Sequence, residues 1–338
     1  MGFRMTTLAL ALVATLAGLA AEASAGGAPT PIRIAYGPAP AHVLPVIFAN
    51  PQVTPNNGKT YKADLISMRA SSAQLQALAA RELDIAWLAY ASFANAILNA
   101  KLDLRIVADI QQWGVPGYYE GVWGVLESAG IDQPQQLRGK RVAVPALGTG
   151  ADFALRATLE KHGLEATKDY TIVEVNFPNM GPTLRDGKVD AAFLINPWWA
   201  AEQAKGGVRA LFGPSAGLGR IQALFFAART DFLKEHRGAA QDFFTDYLRG
   251  LRWLLDPANR SAAVDTAAKV TMQKREVIDA FFLTPSGDFY RDPEGRLNME
   301  ALQRNVDYLS AKGFISGKLD VARYVDLSFL EEAQRRLR

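Results

Sequence analysis

The chain has 338 residues, of which 49% are hydrophobic and 21% charged, a composition typical of a globular protein and unlike that of a disordered or collagen-like chain. It contains no cysteine, which excludes disulfide frameworks, Cys-ligated zinc, iron–sulfur clusters and thiol nucleophiles. Lys and Arg exceed Asp and Glu by 37 to 34, a net charge of +3, and no long basic block occurs. We therefore expect no nucleic-acid partner.

The first 25 residues are predicted to be a secretory signal peptide. Arg4 supplies a positive charge, 8–21 is an apolar stretch too short to span a bilayer comfortably, and Ala23, Ser24 and Ala25 form a small-x-small processing site. We expect cleavage after Ala25 and export to the periplasm. The alternative, an uncleaved N-terminal anchor, fits less well because the apolar stretch ends in a processing site.

Short apolar runs then alternate with helical patterns. Strands are predicted at 32–36, 61–68, 84–88, 104–111, 122–126, 141–145, 170–175, 190–195 and from 224. Helices are predicted from 41, at 71–80 and 92–100, after 149, from 179, and at 239–255, 260–270, 274–281, 299–312 and 327–337. The helix at 71–80 is predicted to open with a capping box formed by Ser71 and Gln74. This alternation is typical of βαβ units, so we predict an α/β fold with mainly parallel sheets.

One internal similarity predicts how the elements are arranged. Segment 78–88 matches segment 184–194 at a constant offset of 106, and both read as a helix end, a tight turn, an Asp and a short buried strand. Two similar lobes with a crossover and a return strand create a cleft suited to capture of a small ligand by hinge closure. We place lobe 1 at 26–113 plus 224–338, lobe 2 at 118–216, and the crossovers at 114–117 and 217–223.

Several segments, in this order and spacing, carry a resemblance to a known family: 78–88, 137–145, 184–192, 196–198 and 226–233. The chain resembles the solute-binding proteins of ABC importers of the nitrate, sulfonate and taurine type over nearly its whole mature length. The resemblance implies a two-lobed type II periplasmic-binding-protein fold, each lobe a mixed, mainly parallel sheet flanked by helices. It also implies a monomeric periplasmic receptor without cofactor, which delivers a small, often anionic solute to a membrane permease and ATPase.

The chain departs from this family at one position. Asn196 stands where the family often carries an acidic residue before a proline near the ligand. A ligand amine would lose its counter-ion there. We therefore expect a plain anion, such as a sulfonate, carboxylate or related oxyanion, or a neutral aromatic, in preference to a taurine-like zwitterion.

Polar candidates for the site lie where strands end and helices begin. Ser71 and Ser72 in one lobe, and Thr149 and Gly150 in the other, would offer unpaired amides and hydroxyls to an anion. Any one of these sites alone is better explained as an ordinary helix cap, whereas two caps facing each other across one cleft favour ligand binding. Asp152 could occupy the second set of amides through a capping box. Arg69 could pair with a carboxylate or sulfonate, or lie solvated on the surface.

Further candidates follow from the first strand and from the aromatic residues. Pro38 and His42 lie in the loop after the first strand, at the carboxyl edge of the sheet where ligands of open α/β folds bind. Tyr90, Trp113 and Trp198 are placed to wall the cleft, whereas Trp123, Trp199 and Trp253 are expected to pack in the cores.

Enzymatic motifs are absent from the sequence. No G-x-S-x-G, P-loop or G-x-G-x-x-G occurs, and the three histidines are far apart, so we expect neither catalysis nor a metal site. A pyrimidine-precursor synthase with the same fold needs iron and a Cys-rich segment, which this chain lacks. Two alternatives stay open: binding of a neutral aromatic or pyrimidine-type vitamin precursor, and ligand sensing as the partner of a membrane receptor.

Overall fold

The computed structural model describes residues 27–338 except Arg69 and the side chain of Ser72. The predicted signal peptide therefore lies outside the described residues. The strands are β1 Thr30–Tyr36, β2 Tyr61–Ser67, β3 Ile85–Leu88, β4 Leu104–Trp113, β5 Val122–Leu126, β6 Arg141–Val144, β7 Thr171–Glu174, β8 Ala191–Leu194, β9 Val208–Phe212 and β10 Ile221–Arg229.

Thirteen α-helices occur in the described residues, six of them after the last strand. They are α1 Leu44–Phe48, α2 Gln74–Ala79, α3 Tyr90–Leu98, α4 Gly150–Lys161, α5 Phe177–Arg185, α6 Trp198–Lys205, α7 Ser215–Leu218, α8 Thr230–Glu235, α9 Arg237–Leu255, α10 Arg260–Thr271, α11 Arg275–Asp279, α12 Met299–Ala311 and α13 Ser328–Arg336. No helix in 27–338 is both long and apolar enough to cross a membrane.

The strands form two five-stranded sheets with the same topology. The first has the order β2-β1-β3-β10-β4 and the second β7-β6-β8-β5-β9. In each, the first three strands are parallel and the fourth runs antiparallel to its neighbours. We call the elements around the first sheet lobe 1 and those around the second lobe 2.

Burial explains why the short central strands are continuously apolar. All four residues of β3 and all four of β8 are buried, as expected for strands covered by helices on both faces. The core of lobe 1 is the larger, because α9 adds Phe243, Phe244 and Tyr247 against Phe226 of β10. The chain passes from lobe 1 to lobe 2 after β4 and returns before β10, so the cleft lies beside these two crossings.

Several local features differ from the sequence prediction. One strand and three helices, β9, α6, α7 and α8, were not predicted, and β10 begins at Ile221, inside the predicted crossover 217–223. The predicted capping box at Ser71 does not form, because the Gln74 side chain accepts a hydrogen bond from the Trp87 amide at 3.0 Å. The helix begins instead as a 3-10 turn at 71–73. The exact limits of the two lobes stay a prediction.

Candidate functional site

A cavity of about 630 Å³, counted to its open mouth, lies between the two lobes. Its walls are mostly apolar and aromatic. The lining residues are Gly37, Pro38, Ala41, His42, Ala70, Ser71, Trp87, Ala89, Gln111, Trp113, Pro145, Thr149, Gly150, Ala151, Phe177, Phe193, Ile195, Leu224 and Phe289. None of these described lining residues carries a formal charge at neutral pH.

The shared topology of the sheets brings these residues together. Gly37 follows β1 and Ala89 follows β3, while Pro145 follows β6 and Ile195 follows β8. Because parallel strands end at the same edge of a sheet, each lobe presents two strand ends to the cavity. Ala89, immediately before α3, and Gly150 and Ala151, which begin α4, line this space, so the N-termini of both helices lie beside it.

Three side chains in the cavity wall carry ring nitrogens without hydrogen-bond partners among the described residues. They are His42, at both ring nitrogens, and Trp87 and Trp113, at Nε1. All three are at least nine-tenths buried. Buried polar atoms are nearly always paired, so these ring nitrogens are candidate partners for the polar part of a ligand.

His42 is neutral at physiological pH. Burial, aided by the nearby positive charge of Arg291, lowers the pKa of His42 from 6.5 to about 3. A neutral imidazole has one N–H donor and one acceptor nitrogen. His42 can therefore donate to a ligand oxygen and accept from a ligand N–H, but it brings no positive charge.

Six of the residues predicted from the sequence line the cavity: Pro38, His42, Ser71, Trp113, Thr149 and Gly150. Two of their hydroxyls are already engaged. Ser71 Oγ lies 2.8 Å from Ser92 Oγ, and Thr149 Oγ1 donates to the Ala146 carbonyl at 2.8 Å. The Thr149 hydrogen is thus used locally and is not available to a ligand.

Three other predicted residues lie outside the lining. Tyr90 is fully buried beneath it, and its hydroxyl donates across the lobes to the Gly150 carbonyl at 3.3 Å. Trp198 stacks on Phe177, with ring centroids 5.5 Å apart and an interplanar angle of 11°. Asn196 donates to the Gly287 carbonyl at 2.8 Å and accepts from the Ala200 amide at 3.0 Å.

Two predicted residues cannot be placed in the site. Arg69 and the Ser72 side chain lie outside the described part of the chain. Their neighbours Ala70 and Ser71 both line the cavity.

Asp152 does not occupy the start of α4. Its carboxylate accepts from the Gly148 amide at 2.9 Å and from Arg156 Nε at 2.8 Å. Among the described residues, no acceptor is bonded to the Gly150 or Ala151 amide. Both residues line the cavity, so these amides are candidate donors to a ligand oxygen.

Sequence analysis missed most of the aromatic wall. Trp87 and Phe193 occupy equivalent positions in the repeat of offset 106. Each is the next-to-last residue of its buried strand, β3 or β8, and each lines the cavity. Their shared aromatic character was a signal in the sequence. Phe289 reaches the cavity from the segment between α11 and α12, and no local pattern marks it.

Comparisons with solved structures show the fold. The alkanesulfonate-binding protein SsuA from Xanthomonas axonopodis pv. citri, bound to MOPS, is 22% identical with a TM-score of 0.69, covering 89% of this chain and 99% of its own. The periplasmic nitrate-binding protein NrtA from Synechocystis PCC 6803 is 13% identical with a TM-score of 0.69, covering 91% and 89%. The desulfurization enzyme DSZB is 14% identical with a TM-score of 0.66, covering 91% and 100%.

These likenesses confirm the α/β class and the two-lobed periplasmic-binding-protein architecture predicted from the sequence. Among curated proteins, none matches the chain. The sequence model of the NMT1-like family matches residues 25–268, which is most of the chain. The chain therefore belongs to the NMT1-like family.

Proposed function

We propose that the protein is the solute-binding component of an ABC importer and that its solute is a small aromatic compound carrying an oxyanion, such as a sulfonate or carboxylate. The observation that carries this proposal is the cluster of unpartnered ring nitrogens on His42, Trp87 and Trp113 within an aromatic cavity between two lobes. The fold, shared with solute-binding proteins, supports the same role.

The walls suit a flat ring. Aromatic side chains enter the cavity from both lobes, with Trp87 and Trp113 from lobe 1 and Phe177 and Phe193 from lobe 2. Aromatic rings prefer edge-to-face or offset stacking, so side chains from opposite walls can hold one planar solute. Aliphatic solutes of equal size would gain less from these contacts.

Neutral donors can hold the oxyanion. The Trp indole N–H groups and the first amides of α4 offer hydrogen bonds, and the helix dipole favours negative charge at its start. No carboxylate lies among the described lining residues, so an anion meets no like charge there. The lost hydration of the anion is replaced by fixed donors.

A second candidate solute is a neutral aromatic ring with a carbonyl oxygen. The absence of a charged side chain among the described lining residues favours it. The imidazole of His42 would pair with a ring N–H, and a Trp indole with the carbonyl. The two candidates differ in the charge of the solute and in the polar groups that it offers to His42 and the tryptophans.

Binding without turnover fits the chemistry of the wall. His42 is the only titratable side chain among the described lining residues, and its pKa of about 3 makes it a weak base at neutral pH. Delivery to a membrane permease after export is the remaining part of the proposal. Mass spectrometry of the periplasmic fraction should then find a mature N-terminus at Gly26.

Isothermal titration with matched sulfonates tests the proposal. Benzenesulfonate should bind about tenfold more tightly than cyclohexanesulfonate, because only the aromatic ring stacks in the cavity. Benzenesulfonamide keeps the shape without the charge, and tighter binding of this compound would favour the neutral candidate. Failure of all three to bind, or chemical conversion of benzenesulfonate by the purified protein, would overturn the proposal.

A further inference from the structure

A short segment between α11 and α12, Gly287–Arg291, crosses the junction of the two lobes; we call it the strap. The Gln112 amide donates to the Tyr290 carbonyl at 3.0 Å, and the Tyr119 amide donates to the Asp288 carbonyl at 3.0 Å. Gln112 lies at the end of β4 and Tyr119 just before β5. The strap is therefore hydrogen-bonded to the chain on both sides of the first crossover, 114–117, and restrains it.

Side chains anchor the strap to each lobe as well. From lobe 2, Asn196 Nδ2 donates to the Gly287 carbonyl at 2.8 Å. Toward lobe 1, Arg291 Nη2 donates to the carbonyl of Ala41, the neighbour of His42, at 2.9 Å. Within the strap, Arg291 and Asp288 form an ion pair at 2.9 Å whose side chains are 1% and 5% exposed.

The residue between these anchors faces the solute cavity. Phe289 is 3% exposed, lines the cavity, and lies with its ring centroid 5.3 Å from that of Tyr119. Hydrogen bonds fix the backbone at Asp288 and at Tyr290, immediately before and after it. The ring is therefore held in place by the backbone hydrogen bonds on both sides of it and forms a fixed part of the cavity wall.

We propose that the strap limits the size of the solute: Phe289 is a specificity-determining residue whose fixed ring restricts how large an aromatic ring system the cavity admits, and Asn196 is a positioning residue that holds the strap. This inference rests on the proposed function, since it assumes an aromatic solute in the cavity. It gives Asn196 a role different from the direct ligand contact predicted from the sequence.

Titration of benzenesulfonate and naphthalene-2-sulfonate tests the proposed role of Phe289 in size selection. Phe289→Ala removes the ring, so the ratio of the two affinities should shift by about tenfold or more toward naphthalene-2-sulfonate. Phe314→Ala removes a partly exposed ring outside the cavity and should leave the ratio unchanged. An unchanged ratio in Phe289→Ala would overturn the proposal.

Asn196→Asp tests the anchor without any ligand. The aspartate can still accept from the Ala200 amide but cannot donate to the Gly287 carbonyl. Hydrogen exchange at the Gln112 and Tyr119 amides should become faster by about tenfold, and the affinity ratio should shift in the same direction as in Phe289→Ala. Unchanged exchange at both amides would overturn the role of Asn196.

The two measurements separate the inference from the proposed function. If neither sulfonate binds the wild-type protein, the proposed function fails and the size selection fails with it. Faster exchange in Asn196→Asp would then still establish that Asn196 anchors the strap. If both sulfonates bind the wild-type protein but Phe289→Ala leaves the ratio of the two affinities unchanged, only the role of Phe289 in size selection is refuted.

Discussion

Asp84 and Asp190 stand 106 positions apart and make the same contacts in the two lobes. Asp84 accepts from the Arg33 amide on β1 at 2.9 Å, and Asp190 accepts from the Arg141 amide on β6 at 2.8 Å. Each Asp amide in turn donates to the carbonyl of the same arginine. The repeat seen in the sequence thus corresponds to the same pair of hydrogen bonds in each lobe. These bonds hold the turn before β3 or β8 to the neighbouring parallel strand.

Burial predicts that the two aspartates differ in their contribution to stability. The Asp84 side chain is 5% exposed and bonds three donors of Arg33, whereas that of Asp190 is 23% exposed. We expect Asp84→Asn to lower the free energy of unfolding by about 2–3 kcal/mol, because charge-assisted bonds in a buried site are lost. Asp190→Asn should cost about 1 kcal/mol.

Urea unfolding measures both variants. Asp186→Asn is the matched control, since its side chain is 56% exposed and, among the described residues, its carboxylate pairs only with Lys188. It should change the unfolding free energy by less than about 0.5 kcal/mol. Equal losses in the Asp84 and Asp190 variants would contradict the dependence on burial.

The tryptophan donors predict a loss of affinity without a loss of fold. Trp113→Phe keeps an aromatic wall and removes the unpartnered N–H, so benzenesulfonate affinity should fall by roughly 5- to 100-fold, the equivalent of 1–3 kcal/mol. Trp123→Phe is the control, because its Nε1 is also unpartnered among the described residues but the side chain does not line the cavity. Calorimetry should find equal effects of the two substitutions if the idea is wrong.

His42 predicts how stability depends on pH. Its pKa is about 3 in the folded protein and 6.5 in the unfolded chain, so the unfolded chain binds more protons between these values. The contribution of neutral His42 to the free energy of unfolding is fully present above pH 6.5. It is lost as the pH falls toward 3, by about 1.4 kcal/mol per pH unit. His42→Gln should therefore flatten the acid side of the stability curve.

Asp109 contributes to the pH dependence of stability with the opposite sign to His42. Burial raises its pKa to about 7, so its contribution to stability is full below the ordinary value and declines as the pH rises toward 7. Because Asp109 is present in both proteins, subtracting the His42→Gln curve from the wild-type curve isolates His42. Superimposable curves would show that His42 is not buried in its neutral form.

Gly150 predicts how closely the lobes must approach. A Cβ at this position would lie 3.3 Å from Ala89 Cβ and 3.3 Å from Tyr90 Cε1, both in the other lobe. Gly150→Val should therefore wedge the lobes apart and weaken benzenesulfonate binding by about tenfold, because the closed state becomes less populated. In Gly238→Ala the new Cβ meets nothing within 4 Å, and affinity should be unchanged.

Thr149 separates a local structural role from ligand binding. Its hydroxyl donates to the Ala146 carbonyl, so Thr149→Ala should lower the unfolding free energy by about 1 kcal/mol. The affinity for benzenesulfonate should change less than about twofold. A larger loss of affinity, measured beside the melting temperature, would mean that the hydroxyl turns toward the ligand.

The sequence predicted the fold better than the site, and particular residues explain why. Strands such as β3 and β8 are marked in the sequence by four consecutive apolar residues, all of which are buried in the structure. By contrast, the segment 196–198 lies near the cavity, but Asn196 bonds the strap and Trp198 stacks on Phe177. Position along the chain gives proximity, whereas the direction of a side chain depends on tertiary partners.

The least predictable part of the site comes from distant pieces of chain. Phe289 is brought beside Tyr119 by hydrogen bonds between segments about 170 positions apart. Gln74 likewise fits a capping box locally but bonds the Trp87 amide in the folded protein. Such tertiary partners outweigh local propensity, and a single sequence does not display them.

The position of β10 has a consequence for the order of folding during synthesis. All five strands of the second sheet lie within 122–212, so this sheet can assemble as soon as that stretch has left the ribosome. The first sheet cannot, because β10 is inserted between β3 and β4 and is made more than 100 residues after them. The lobe that is translated first is therefore the one completed last, and until then the unpaired edges of β3 and β4 are exposed to other chains.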